Sequence, residues 1–311
     1  MTEIKKVVLV GAGTIGSYFS PRLYNWMDEG EFYVLSSGQK KERIENHGLM
    51  INGLTYKFPI ITPEDKSFYA DLVIIAVRGT NFTVALKEIA NIIGPETIIL
   101  PALNGVDIEE RVGNVYGFEH LLYSYMDMFV NIKNGHYDFD PSKSMVHFGE
   151  EINESYSEKV LLVKKLFDKC HIKYKIDRDM KHGIWKKFIE TIGSSMTGAV
   201  VGVSTGAISR SSHANFIRKN IMQETLLIAQ ALNVNINKKD LADIETELSK
   251  VSNYDNRPLT LQDLDNHRNT DVELYAGAIL KLGKKLKVST PYNEMAYHII
   301  KAFEEKNSGI L

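Results

Sequence analysis

The sequence predicts an α/β fold: an N-terminal domain built on a parallel sheet, followed by an all-helical C-terminal domain. Three observations predict it. Residues 7–16 read VVLVGAGTIG, an apolar run that breaks into small residues and then starts a helix. Short apolar runs alternate with helix-period segments as far as Ile176, the pattern of strands separated by crossover helices. From Asp179 onward only helical periodicity remains. The expected domains are 1–177 and 178–311.

Val7, Val8, Leu9 and Val10 suit a strand buried on both faces, and Ile15, Tyr18, Phe19 and Leu23 follow at helical spacing. Gly11, Gly13 and Gly16, with Ala12, Thr14 and Ile15 between them, have the G-x-G-x-x-G spacing. The first glycine makes the turn, the second lets backbone approach a pyrophosphate, and the third lets helix and strand pack closely. The helix N-terminus offers free N–H groups and a partial positive charge to phosphates. Glycines in such turns also serve a positive φ alone, so a turn with nothing bound is the alternative. The strand before and the helix after favour a Rossmann-type dinucleotide-binding domain.

A chain of 311 residues exceeds one ordinary core and fits two domains. Its formal charge of −2 supplies no field for nucleic acid or an anionic membrane. The lone cysteine, Cys170, permits no internal disulfide, and no apolar run reaches the length of a signal peptide core or a membrane span. A cytoplasmic protein without a membrane partner is expected. The nine histidines and one cysteine show no ligand spacing, so no metal is expected.

Residues 31–35 (EFYVL) read as the second strand. NAD enzymes place an acid at its tip for the ribose 2′-OH, whereas a 2′-phosphate wants cations. Here Ser36 and Ser37 stand at the tip, followed by Lys40, Lys41 and Arg43, which favours NADPH; an ordinary solvated helix start is the alternative. Asn52-Gly53 between LMI and LTYKF predicts a type I′ hairpin, expected as a small antiparallel addition to the sheet. Residues 71–77 (DLVIIAV) form a further buried strand with Arg78 at its C-terminal end, within reach of the adenosine phosphate or simply a surface arginine. Residues 82–93 are helical by spacing, Gly94-Pro95 stops them, and 97–100 (TIIL) is a strand that ends in PALNG. Asn104 there faces either cofactor and substrate or only the needs of a turn. In 116–151 only VHFGE reads as a strand; 156–170 is an amphipathic helix and 172–176 (IKYKI) alternates like a last strand. The helical half divides near 180–200, 215–232, 238–251, 261–286 and 292–305.

Within MKHGIWKKFIETIGSSMTGAVVG, Lys187, Thr191 and Ser195 share one helix face by their spacing of four, and Lys186 points about 100° away. A lysine partly desolvated beside a cofactor can protonate a carbonyl oxygen as hydride reaches the carbon. Composition alone favours two snorkelling lysines.

Four stretches in register change that weighting. GAGTIG near the N-terminus, ALNG after a central strand, IWKKF at the opening of the helical half, and LTLQDL followed by HRNTDVELYAG together resemble the ketopantoate reductase family, the 2-dehydropantoate 2-reductases. The resemblance spans nearly the whole chain. It implies that Lys187, matching the lysine of the family's W-x-K-L motif, is the general acid. It implies that Asn104 orients the lysine and the substrate carbonyl, that Gly11, Gly13 and Gly16 form the cofactor loop, and that Arg78 is the basic residue near the 2′-phosphate. Several positions depart from the family pattern. Ser37 replaces a common arginine, Thr191 and Ser195 replace two asparagines, and Leu259 replaces a serine that binds the substrate carboxylate, leaving Thr260 as the nearby hydroxyl. Asp271 stands where the family has glutamate, with Glu273 two residues on.

The expected function is NADPH-dependent reduction of ketopantoate to pantoate, on the route to pantothenate. Lys187, Asn104 and Asp271 are the catalytic residues, and Thr191, Ser195, Thr260 and Asp271 the substrate-binding ones. The partner is a small 2-oxo acid, and the helical domain is where a homodimer would form. The rivals are a paralogue that reduces another 2-oxo acid, a non-catalytic NADPH-binding regulator, and a histidine-aspartate dehydrogenase using His182.

Overall fold

The computed structural model describes residues 2–128, 130–133, 135–250 and 256–311. The chain divides into two compact units, Met1–Met180 and Lys181–Leu311.

In the first unit the opening run forms β1 (Val7–Val10), fully buried, and the glycine turn leads into α1 (Gly16–Trp26). There follow β2 (Phe32–Leu35) and α2 (Gly38–His47), then β3 (Leu49–Ile51) and β4 (Leu54–Tyr56). The chain continues through β5 (Ile60–Ile61), β6 (Leu72–Ile75), α3 (Phe82–Glu88) and β7 (Ile98–Pro101). Strands β1, β2, β5, β6 and β7 make one parallel sheet in the order β5-β2-β1-β6-β7. That order reverses direction at β1, the switch point outside which open α/β sheets bind ligands. All four residues of β1, of β6 and of β7 are buried, as strands covered on both faces must be.

The Asn52-Gly53 hairpin forms, with φ of 48° and 77° at its two turn residues, the left-handed pair a type I′ turn requires. It does not extend the parallel sheet as expected. That edge is taken by β5, which pairs Ile60 and Ile61 with Val34 and Leu35. The hairpin belongs instead to a four-stranded sheet, β4-β3-β10-β9, completed by β9 (Val130–Lys133) and β10 (His136–Phe139). Between β7 and β9 in sequence come α4 (Ile108–Tyr116) and β8 (Tyr123–Asp127). The unit closes with β11 (Met145–Gly149), α5 (Glu158–Lys169) and β12 (Tyr174–Lys175), and β12, β11 and β8 form a third sheet. One apolar core joins these layers, from Val7, Leu9, Tyr18 and Phe19 through Leu72 and Ile74 to Phe148, Val163 and Phe167.

The second unit is all helix: α6 (Met180–Val201, begun by the last residue of the first unit), α7 (Thr205–Arg210), α8 (Ser212–Ala231) and α9 (Lys238–Ser249). The expected end of α9 at Val251 lies outside the described residues. The segment 261–286, read from its periodicity as one helix, is broken. Helix α10 (Leu259–Asp265) ends in a Schellman motif: His267 adopts φ +52°, and the N–H groups of Arg268 and His267 donate to the carbonyls of Asp263 and Leu264. A five-residue π-helical segment, Glu273–Gly277, then precedes α11 (Ala278–Leu286). The last element is α12 (Pro291–Asn307), whose N-terminus is held by the Glu224 carboxylate of α8; Tyr292 and Asn293 N–H groups donate to it at 2.8 and 2.9 Å.

The small residues in the second half of α6 have a packing cause. A Cβ on Gly193 would stand 2.5 Å from Met222 Cγ on α8, and one on Gly198 would stand 2.6 Å from Pro258 Cγ. No helix among the described residues is long and apolar enough to cross a membrane.

Candidate functional site

In the first unit, the expected cofactor residues all follow C-terminal ends of adjacent parallel strands. Gly11 to Gly16 follow β1, Ser36 and Ser37 follow β2 with Lys40 in the first turn of α2, Arg78 follows β6, and Asn104 follows β7. Strand polarity therefore gathers them along one edge of the sheet.

The three glycines have three different causes. Gly11 has φ +92°, and a Cβ there would sit 2.8 Å from the Ala76 carbonyl oxygen, just past the end of the neighbouring β6. A Cβ on Gly16 would come within 2.0 Å of the Gly11 carbonyl oxygen, so only glycine lets α1 start against the turn. A Cβ on Gly13 would meet nothing within 4 Å. The protein's own packing does not require glycine at that position. The open space over the Gly13 backbone is a cradle of the kind a pyrophosphate fills. Helix α1 has no side-chain cap and no acid in its first turn, the condition under which a helix N-terminus can receive an anion.

At the tip of β2, Ser36 is half-buried and Ser37 exposed, and Ser37 Oγ donates to Glu88 Oε1 at 3.4 Å. Lys40 is exposed, whereas Lys41 lies 3.8 Å from Glu45 on its own helix. Arg78 and Asn104 are each half-buried.

In the second unit the two adjacent lysines diverge as helix geometry requires. Lys186 reaches α9, where it lies 3.7 Å from both Asp240 and Asp243. Lys187, only 17% exposed, donates to Glu190 Oε2 at 3.2 Å. Thr191 and Ser195 share its face; the Thr191 hydroxyl donates to the Lys187 carbonyl at 2.8 Å, so toward any other group it presents an acceptor. Ser195 is buried. His182 bonds Asp240 Oδ1 at 2.9 Å, and the other oxygen of that carboxylate accepts from the Asn237 N–H in the capping box of α9. Thr260 is buried on α10, and Asp271, 8% exposed, follows its end. The turn between them is fixed by Arg268, whose Nε donates to the buried Asp263 carboxylate at 3.0 Å. The carbonyl of Asp271 accepts from Leu274 and Tyr275 N–H groups and so begins the π-helical segment, a local irregularity frequent at functional sites.

Two acids escaped the sequence reading. Glu190 stands three residues after Lys187, a spacing that alone marks an ion pair on a helix. Glu88 reaches Ser37 across 51 residues, and no local pattern reveals that. No group of three or more metal-ligating side chains occurs among the described residues.

Comparison with known proteins covers both units. Residues 7–151 match the family model described as ketopantoate reductase PanE/ApbA, and residues 179–304 match its C-terminal counterpart. The 2-dehydropantoate 2-reductase of Streptococcus pyogenes serotype M3 is 25% identical over 310 residues, covering 96% of this chain and 97% of that protein. Among solved structures, D-mandelate dehydrogenase in its ternary structure with NADH and anilino(oxo)acetate superposes with a TM-score of 0.86 at 22% identity, over 97% of this chain and 99% of that one. A PanE/ApbA family ketopantoate reductase from Ralstonia eutropha superposes with a TM-score of 0.81 at 18% identity and the same coverage, which shows a shared fold. With both of its units matched, in order, by the two models of one family, the chain belongs to the ketopantoate reductase family.

Proposed function

We propose that this chain reduces a 2-oxo acid with NADPH, and that conversion of ketopantoate to pantoate is its favoured reaction. The observation that carries the reading is Lys187: a side chain only 17% exposed on α6, which the motif resemblance assigns as general acid, in a chain that belongs to the family. The nicotinamide cofactor supplies the hydride when bound.

The chain's own residues do the rest. The backbone from Gly11 to Gly16, with Ala12, Thr14 and Ile15, and the uncapped N-terminus of α1 hold the pyrophosphate. Ser36, Ser37, Lys40 and Arg78 hold the adenosine ribose and its phosphate. Lys187 gives its proton to the oxygen that gains negative charge, and Asn104 and Asp271 orient lysine and substrate. Thr191, Ser195 and Thr260 line the substrate side with hydroxyls.

A second reading, a reductase of another 2-oxo acid, is favoured by one feature. Leu259 and Asp271 stand where the family has a serine and a glutamate, so the groups facing the substrate carboxylate and hydroxyls differ. The deciding experiment is NADPH oxidation with ketopantoate beside a panel of other 2-oxo acids, wild type against Lys187→Ala. Turnover of ketopantoate that drops about 100-fold or more without the lysine supports the first reading. Turnover of a different oxo acid alone supports the second. Tight NADPH binding with no turnover of any of them would sink both and leave a binding protein.

A further inference from the structure

The tip of β2 lacks an acid in sequence but has one in space. Folds of this topology select NAD by a carboxylate at that tip, which accepts from the ribose 2′-OH and repels a 2′-phosphate. Ser37 occupies the tip, and its hydroxyl donates to Glu88 Oε1 at 3.4 Å, delivered by the last residue of α3. Glu88 itself is half-buried at the end of α3, and its contact with the serine lies at the exposed tip of the sheet.

We propose that Glu88 is a specificity-determining residue for the cofactor: its carboxylate, beside Ser37, weakens binding of a 2′-phosphorylated ribose relative to a 2′-hydroxyl one. It acts against Lys40 and Arg78, and the balance between them sets the ratio of NADPH to NADH affinity. This rests on the reading that the glycine turn holds a nicotinamide dinucleotide, and it is independent of which oxo acid is reduced.

The argument is electrostatic. A 2′-phosphate carries nearly two negative charges at neutral pH, since its second ionisation falls near pH 6. One full charge at about 4 Å in water changes binding about fivefold, and more where the surroundings are partly desolvated. A 2′-hydroxyl carries no charge and can donate to the same carboxylate. Glu88 therefore discriminates on one atom group and leaves the shared pyrophosphate contacts untouched.

The test is direct binding of NADPH and of NADH, followed by nicotinamide fluorescence, to the wild type, Glu88→Gln and Glu88→Lys, with thermal melts as a folding control. Glu88→Gln is expected to tighten NADPH about tenfold and to leave NADH unchanged or weaker, with Glu88→Lys moving the ratio further the same way. A NADPH to NADH ratio within twofold of wild type in both folded variants overturns the proposal. So does an equal tightening of both nucleotides, which would mean a general charge effect on the shared pyrophosphate. If neither nucleotide binds the wild type, the dinucleotide reading fails first and the role of Glu88 falls with it.

Discussion

The Lys187 ammonium is held by Glu190, 3.2 Å away and one helical turn further along α6. Lysine side chains lose considerable rotamer freedom when fixed, and a partner on the same helix supplies that restraint before any substrate arrives. On the proposed mechanism Lys187→Ala lowers kcat about 100-fold or more. Glu190→Gln, which keeps the size but removes the charge, lowers kcat by about threefold to thirtyfold and leaves cofactor affinity unchanged. Steady-state kinetics with parallel cofactor titrations check both; a Glu190→Gln enzyme with wild-type kcat would show that the pair is only a resting contact.

The glycine turn yields a contrast between two identical substitutions. Gly16→Ala places a methyl group 2.0 Å from a backbone oxygen, so β1 and α1 must separate and the fold of the first unit suffers. Its melting temperature is expected to drop by several degrees or the protein to be insoluble. Gly13→Ala meets nothing within 4 Å, so its melting temperature stays near wild type while NADPH affinity falls about tenfold or more. A Gly13→Ala protein that binds NADPH normally would remove the turn from the cofactor site.

These cases mark what sequence can reveal. The strand-glycine-helix opening was legible because strand, turn and helix chemistry all sit within consecutive residues 7–26. Strand β8 was not, although its sheet partners β11 and β12 were legible in VHFGE and IKYKI. In YSYMD the tyrosines lie on the more open face while Ser124, on the buried face with Met126, donates to the Pro101 carbonyl at 2.6 Å, so across residues 123–125 the hydrophobic alternation runs opposite to the burial. The break after α10 was hidden because His267, not glycine or asparagine, adopts the left-handed conformation. Lys187 was singled out by its face and its motif, but Glu88 depends on tertiary placement that no spacing encodes.

Cys170 is fully buried at the end of α5. Burial pushes its thiol up to about 11, against a small opposing pull from Lys169. The nucleophile is the thiolate, so at neutral pH this sulfur is both protonated and covered. Ellman's reagent is expected to leave the folded protein unmodified over minutes and to titrate one thiol after denaturation. Rapid reaction in the native state would contradict the packing of α5.

In the third sheet His147 is sandwiched between two acids and a ring. Its Nδ1 lies 2.6 Å from Asp177 Oδ2 and its Nε2 3.2 Å from Asp127 Oδ2, and Tyr125 stacks on it at 4.2 Å while donating its hydroxyl to Asp177. Burial opposes the imidazolium, but the hydrogen bonds and charges of Asp127 and Asp177 outweigh it and raise the pKa of His147. Burial likewise opposes the Asp177 carboxylate, yet hydrogen bonds from His147, Lys175 and Tyr125 hold it well below the usual carboxylate range. A raised histidine contributes stability that is complete below its unfolded value, near 6.5, and is lost as pH rises through the folded value. The depressed carboxylate contributes stability present above its unfolded value, near 3.9, and lost as pH falls through the folded one. Between those limits both contributions are present, so the first unit is expected to be most stable on the mildly acidic side of neutrality. Urea unfolding measured from pH 5 to 9 checks this: wild-type stability should decline on the alkaline side, and His147→Gln should flatten that limb. An unchanged alkaline slope in the variant would assign the decline to other groups.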